Sequence, residues 1–304
     1  MQVLLTGSSG FIGKELQKLT SHVTYRCVTR RLSKEVVSDN FSITNLDSKT
    51  NWDGAFDNIN TIIHLGGLAH NKEYTFQEYN DINNLGTLHL AKMAASYGVK
   101  RFVFASSIGV NGSFTSHMPF SNTSEINPNN AYAQSKYDAE VGLKKIANET
   151  GLEVVIVRPT LVYGRNAPGN FGSLTKLVHK LPFLPFGFCD NRRDFIAVQN
   201  LADLLITCAE HQNAAGHTFL ASDGETVSIK EFTDAIAKGL GKNLIQLPIP
   251  VGLMRFVGKL LGKSAMIEQL VGNLEVDSSN LKEVLGWVPP YTMEESMAFL
   301  KQEK

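Results

Sequence analysis

A phenol, an ammonium and a hydroxyl are placed in this chain where they would act together in proton transfer. Tyr132 and Lys136, in Tyr132-Ala133-Gln134-Ser135-Lys136, stand four apart and so share one face of a helix. Ser106-Ser107 closes the apolar run that precedes them. A free phenol has a pKa near 10, and bringing it to about 7 takes roughly 4 kcal/mol of differential stabilisation, so a tyrosine base needs a fixed cation beside it. Lys136 would supply that charge. Ser107 would hydrogen-bond a substrate oxygen while Tyr132 takes or gives its proton. The spacing alone also suits a solvated helix surface, because with eight tyrosines one chance Tyr-x-x-x-Lys is about an even bet at average composition.

The N-terminal residues favour the chemical reading. Val3-Leu4-Leu5 is a short apolar strand that runs into Gly7-Ser8-Ser9-Gly10-Phe11-Ile12-Gly13, and Lys14-Glu15-Leu16-Gln17 then reads as helix. Glycines at 7, 10 and 13 in that context give a tight turn, a close backbone approach to an anion and a helix packed on its strand, which is how a dinucleotide pyrophosphate is held. With a nicotinamide ring present, its positive charge would join Lys136 in lowering the phenol, and hydride would move to or from carbon as Tyr132 moves its proton.

These residues need elements to position them. The first half alternates strands and helices, which predicts an α/β fold: a Rossmann-type doubly wound parallel sheet with a smaller C-terminal substrate-binding lobe. Val23–Thr29, Thr61–Leu65, Arg101–Ser106 and Leu152–Arg158 are the further strand candidates, and Phe76–Tyr97 and Asn129–Thr150 the long helices. Ser107 then falls at the carboxyl edge of the sheet, where open α/β sheets bind ligands. The expected division is a dinucleotide domain over 1–165, to which 194–222 returns as a strand and helix, and a lobe from 166–193 and 223–304. Ser228-Ile229-Lys230-Glu231 is a capping box that opens a lobe helix.

Bulk composition narrows the partners. The 304 residues carry 29 basic and 29 acidic side chains, so net charge makes no case for nucleic acid. Cys27, Cys189 and Cys208 are far apart and outside any metal spacing, which suits a reducing cytoplasm, and no metal is expected. The start lacks a signal-peptide pattern. Val251–Gly272 is apolar but broken by Arg255, Lys259, Lys263 and Glu268, so it predicts an amphipathic core or surface helix, with peripheral membrane contact as the minor alternative, and no membrane span.

Further motifs come in order: His64-Leu65-Gly66-Gly67, Asn83-Asn84-Leu85-Gly86-Thr87 and Arg158-Pro159-Thr160-Leu161-Val162-Tyr163-Gly164. With the glycine turn and the Ser107/Tyr132/Lys136 set, the chain resembles an extended short-chain dehydrogenase/reductase of the NAD-dependent epimerase/dehydratase family over nearly its whole length. That resemblance implies Ser107, Tyr132 and Lys136 as catalytic residues. It implies a cofactor held by Gly7, Ser9, Gly10, Phe11, Ile12, Leu65, Gly66, Gly67, Asn83 and Pro159 together with Tyr132 and Lys136. Asn45 and Leu46 stand where the family has an acid and a hydrophobic residue beside the adenine. Arg193 matches the arginine that grips a UDP-sugar diphosphate, Asn170 a residue near the uridine, and Phe186 or Phe188 a stacking partner for the base, unless those aromatics are core. The two long helices are where family members pair as homodimers.

The resemblance leaves the reaction open. Dehydratases carry an Asp-Glu pair beside the catalytic Ser/Thr, and Ile108-Gly109-Val110 follows Ser107 here, which excludes that branch. Arg30-Arg31 ends the second strand, where an acid would favour NAD and arginine favours the 2′-phosphate of NADP. Ala69 replaces a lysine common among the epimerases. Both departures place an NADPH-using reductase of a UDP-4-keto-6-deoxy-N-acetylhexosamine, in surface-polysaccharide synthesis, ahead of a UDP-glucose or UDP-N-acetylglucosamine 4-epimerase. NAD(H) remains the alternative cofactor, and reduction of a small uncharged ketone the alternative outside the group.

Overall fold

Val3 and Leu5 face one core and Leu4 the other, an alternation that only a strand covered on both sides can satisfy. The computed structural model describes residues 1–19, 22–30, 39–69 and 74–301. The first half contains β1 (Gln2–Thr6), α1 (Phe11–Leu16), β2 (Thr24–Thr29), β3 (Asn40–Ser42), β4 (Thr61–His64), α2 (Phe76–Tyr79), α3 (Thr87–Ser96), β5 (Arg101–Ala105), α4 (Ala131–Thr150) and β6 (Glu153–Pro159). Strand β10 (Thr218–Ala221) joins them in one sheet of order β3-β2-β1-β4-β5-β6-β10, with every pairing parallel. The order reverses between β1 and β4, so the ligand-binding crevice of such a sheet opens beyond Thr6 and His64.

The expected strands and long helices are present, and two details differ. Between α2 and α3 the helix widens into a π-helical stretch, Asn80–Gly86, a departure that recurs at functional sites. Helix α4 starts at Ala131 rather than Asn129, because Asn130 is extended and its side chain accepts from the Ala133 amide as a cap. At the other end Gly151 takes φ +77°, the left-handed stop that glycine allows. Strand β3 was not read from the sequence, since three residues carry no period.

The remaining elements are β7 (Leu161–Tyr163), α5 (Gly169–Lys180), β8 (Phe183–Leu184), β9 (Phe195–Ala197), α6 (Val198–Glu210), α7 (Ile229–Gly239), β11 (Ile245–Gln246), α8 (Val251–Leu260), α9 (Ser264–Val271), α10 (Ser279–Leu285) and α11 (Met293–Ala298). The Ser228 capping box opens α7. Phe171, Phe195 and Phe232 form the centre of a separate lobe core, with Phe195 and Phe232 stacked 3.8 Å apart. Leu281, Leu285 and Trp287, which the sequence division puts with the lobe, instead pack into the core under the sheet, where Trp287 donates to Asp203 at 2.7 Å. Asp223, just after β10, ties the units together by accepting from Tyr163 (2.8 Å), Asn200 (2.7 Å) and the Ala197 amide (3.0 Å).

Candidate active site at the carboxyl edge of the sheet

Each glycine of the N-terminal turn answers a contact. Gly7 has φ +71°, and a Cβ there would lie 2.9 Å from the Gly66 amide nitrogen, so the turn presses directly on the loop after β4. A Cβ on Gly13 would strike the Gly7 carbonyl. A Cβ on Gly10 would meet only the Gly7 oxygen at 3.1 Å, leaving open space on the outer side of the turn. Gly10 caps α1 without a side chain, so no side chain occupies the first-turn amides that a phosphate would take. Ser9 is exposed in the turn, while Phe11 packs on the lobe core and Ile12 on the sheet core.

The loop after β4 is held by a one-directional chain of hydrogen bonds. The Gly66 amide donates to Thr6 Oγ1 at 2.9 Å, which leaves the Thr6 proton for His64 Nδ1 at 2.7 Å. Thr87 gives its own proton to the Asn83 carbonyl (2.7 Å), so His64 Nε2, 2.9 Å from Thr87 Oγ1, must be the donor there. Full burial, with Lys136 nearby, pushes the imidazole down to about 3 and keeps it neutral. Asn83 lies in the π-helical stretch, and its side chain accepts from the Leu68 amide (2.7 Å) and donates to the Leu68 carbonyl (3.1 Å). A side chain at Gly67 would collide with Asn83 Oδ1 and approach Lys136 Nζ, so this glycine keeps space open beside the ammonium. These features fit a dinucleotide. Leu65 packs against the sheet core, Leu46 packs over Gly66, Asn45 is exposed beside it, and Pro159 ends β6 at the same edge.

Ser107, Tyr132 and Lys136 converge there. The Gly109 amide donates to Ser107 Oγ at 3.1 Å, and Ser107 in turn hydrogen-bonds the Tyr132 phenol. Burial outweighs that bond and pushes Tyr132 up to about 12. Lys136 donates to the Ala105 carbonyl at 2.9 Å, lies 4.7 Å from the centre of the Phe104 ring, and is pushed down to about 8 by burial against the opposing pull of Glu140. The phenol in the protein alone is therefore the acid form. Burial thus adds to the stabilisation that a tyrosine base would need to ionise near neutral pH.

Sequence reasoning missed the ion pair that backs this group. Glu140, one helical turn beyond Lys136, receives Arg158 through both oxygens (2.5 and 2.9 Å) and the Ser106 hydroxyl at 2.5 Å, and Arg158 also donates to Asn111. All four side chains are buried. The signal was present, since 132, 136 and 140 continue one helix face at four-residue steps. Thr6, His64 and Thr87 were missed as positioning residues because apolar neighbours in sequence hide a polar chain that forms only across three elements.

The substrate-side expectations divide. Arg193 is half-buried, forms β-bridges to Val227 and Leu274, and donates from Nη1 to the Gly272 carbonyl at 2.9 Å. Desolvation lowers it to about 10, and no carboxylate among the described residues pairs with it. Arg192, by contrast, is exposed and paired with Glu275 at 2.7 Å. Leu274 packs with Ile108, which follows Ser107, so the Arg193 strand and the catalytic loop share a small apolar cluster. Asn170 is exposed in the first turn of α5. Phe186 does not offer a stacking face. Only 4% exposed, it is part of the lobe core, whereas Phe188 is 60% exposed. Arg30 is exposed at the end of β2, and Arg31 lies outside the described residues.

Residues 3–222 match the NAD dependent epimerase/dehydratase family. A UDP-glucose 4-epimerase of Vibrio cholerae is 39% identical over 302 residues, covering 96% of this chain and 92% of the relative. The N-acetyl-alpha-D-glucosaminyl-diphospho-ditrans,octacis-undecaprenol 4-epimerase of Escherichia coli O157:H7 is 24% identical over 326 residues, covering 97% and 92%. The crystal structure of a UDP-N-acetylglucosamine 4-epimerase from Bacillus cereus superposes with TM-score 0.80 at 17% identity, covering 99% and 98% of the two chains. By sequence match over most of its length and by fold, this chain belongs to the NAD dependent epimerase/dehydratase family of nicotinamide-using enzymes.

Proposed function

We propose that the protein inverts C4 of a UDP-sugar. The observation that carries this is the Ser107–Tyr132 hydrogen bond beside a buried Lys136, joined through Ile108 and Leu274 to a half-buried Arg193 with no carboxylate partner among the described residues. A desolvated guanidinium suits a diphosphate, which it holds bidentately. The named activity of the Vibrio cholerae relative, aligned over nearly the whole chain, supports the same substrate class.

The chain's residues would divide the work as follows. Arg193 holds the diphosphate, with Asn170 and Phe188 toward the uridine. Ser107 hydrogen-bonds the C4 oxygen. Tyr132 takes its proton in the first half-reaction and gives it back in the second, after the keto-sugar has turned over. Lys136 supplies positive charge near the phenolate. Gly7, Ser9, Gly10, Phe11, Ile12, Leu65, Gly66, Gly67, Asn83 and Pro159 would hold the dinucleotide, with Asn45 and Leu46 toward its adenine. A bound nicotinamide supplies the acceptor and donor of the C4 hydride. Exposed Leu85 and Val141, on the helix pair that contains α3 and α4, support homodimer formation through that face.

One observation favours a second reading. Arg30 is exposed where β2 ends and is in no ion pair among the described residues, which suits the 2′-phosphate of NADPH and thus a 4-ketoreductase of a UDP-4-keto-6-deoxy-N-acetylhexosamine. Ala69 in place of a lysine points the same way. Denaturing the purified protein and identifying the released nucleotide by mass separates the two. NAD(H) near one per chain, with interconversion of UDP-glucose and UDP-galactose or of their N-acetyl counterparts, establishes the epimerase. An empty site, or freely exchanging NADP(H), overturns it in favour of the reductase. UDP at a hundredfold excess over its Kd should stabilise the fold by about 2.7 kcal/mol in either case, and no response to UDP would refute the substrate class.

A further inference from the structure

Helix α8 is apolar on two faces. Met254 and Gly258 turn inward, and Gly258 allows Ile267 of α9 to lie against the helix backbone. Leu253, Phe256, Val257, Leu260 and Leu261, at spacings of three, four, seven and eight from the first, all turn outward. Phe256 is 60% exposed and Leu260 70%, and Met266 extends the patch onto α9. Scattered exposed leucines need no explanation, but a continuous stripe on one helix does.

The charges on this hairpin have one sign to spare. Arg255 is paired with Glu268 at 2.8 Å, and Lys259 and Lys263 at the tip are exposed and in no ion pair among the described residues. No other acidic residue occurs between 251 and 271, so the hairpin has a surplus of two positive charges in a chain whose net charge is zero. An isologous pairing of two copies through this stripe would bring like-charged tips together with no acid to receive them, which disfavours a second copy. An apolar stripe flanked by unpaired lysines is the pattern that settles into the interface of an anionic bilayer.

We propose that the α8–α9 hairpin docks the protein onto an anionic lipid surface, with Leu253, Phe256, Leu260 and Leu261 entering the headgroup layer and Lys259 and Lys263 resting on lipid phosphates. Helix α9 ends at Gly272, whose carbonyl receives Arg193, so the docking surface is joined to the candidate diphosphate-binding arginine through one short segment. The interaction is peripheral, since no helix among the described residues is long and apolar enough to cross a membrane. It does not depend on which sugar or cofactor the site takes.

Flotation of the full chain with vesicles of phosphatidylethanolamine and phosphatidylglycerol, against vesicles of phosphatidylcholine, tests this. Wild type should float with the anionic vesicles and stay in solution with the neutral ones. The double variant Lys259→Gln/Lys263→Gln should partition about 30-fold more weakly. Phe256→Ser/Leu260→Ser should lose flotation while keeping wild-type turnover of soluble UDP-sugar and an unchanged melting temperature, because both side chains already face outward. Equal flotation with neutral lipid, no flotation at all, or flotation unchanged in the serine variant overturns the proposal. So does a fall in solution mass of the serine variant by light scattering, which would assign the stripe to a second copy.

Discussion

The sheet edge and the lobe that faces it are built on opposite plans. At the sheet edge two sets of side chains are closed within the protein: Thr6, His64 and Thr87 form one chain, and Glu140, Arg158 and Ser106 form one cluster. In the lobe, the Arg193 guanidinium is also desolvated but among the described residues it donates to a backbone carbonyl and to no carboxylate, and α8 leaves an apolar stripe open. A buried polar group whose partners are all protein fixes geometry, whereas one left short of partners retains free energy for a ligand. The edge therefore has its geometry fixed from within, as a constant cofactor would need, and under the proposed function the lobe keeps bonding capacity for a substrate that must arrive and leave.

The largest expected effect tests the edge directly. Tyr132→Phe should lower turnover by about 10² to 10⁴ while the melting temperature stays at the wild-type value. Near wild-type turnover would remove the catalytic assignment. Next, Glu140→Gln leaves Arg158 buried without its counter-ion and should cost about 3–5 kcal/mol in chemical denaturation. If Arg193→Ala proved equally costly, the contrast between a saturated edge and an unsaturated lobe would fail. It should instead leave stability within about 1 kcal/mol and abolish the UDP-induced rise in melting temperature.

Lys136 sharpens the contrast from another side, since a buried cation lowers stability. Its pKa lies at about 8 in the fold against an ordinary 10.5. Between those values the unfolded chain binds more protons than the native one, so stability rises with pH across the window. Lys136→Met should therefore be inactive yet more stable at pH 7, by up to about 3 kcal/mol, with the gain shrinking as pH climbs from about 8 toward 10.5. Thermal unfolding at several pH values reads this, and a gain that grows with pH would show the sign to be wrong. The smallest effect is expected for Arg30→Ala, which should weaken NADPH about tenfold and leave NADH unchanged if this side chain meets a 2′-phosphate. Equal losses for both would end the case for NADP.

The glycine turn and the Tyr132–Lys136 face were legible in the sequence because they depend on local periods. Gly7, Gly10 and Gly13 follow a strand and open a helix, and 132 and 136 share a face whatever the helix packs against. The family motifs around His64, Asn83 and Arg158 were visible too, but their physical work was not. His64 read as part of a motif, and its place in a hydrogen-bond chain needed Thr6 from β1 and Thr87 from α3. Phe186 and Phe188 are two residues apart and chemically identical, and only the packing of the lobe core decided which one is exposed.

The sequence by itself determined the alternation of strands and helices, the glycine turn and the Tyr-Lys pair, since hydrophobic period, glycine and helical spacing act over a few residues. The tertiary structure alone decided what those groups are worth. Burial raised Tyr132 and lowered Lys136, the Glu140–Arg158 pair appeared beneath them, and Arg193 lost water without gaining a carboxylate among the described residues. Desolvation and long-range pairing depend on which distant segments meet, and no window along the chain contains that information.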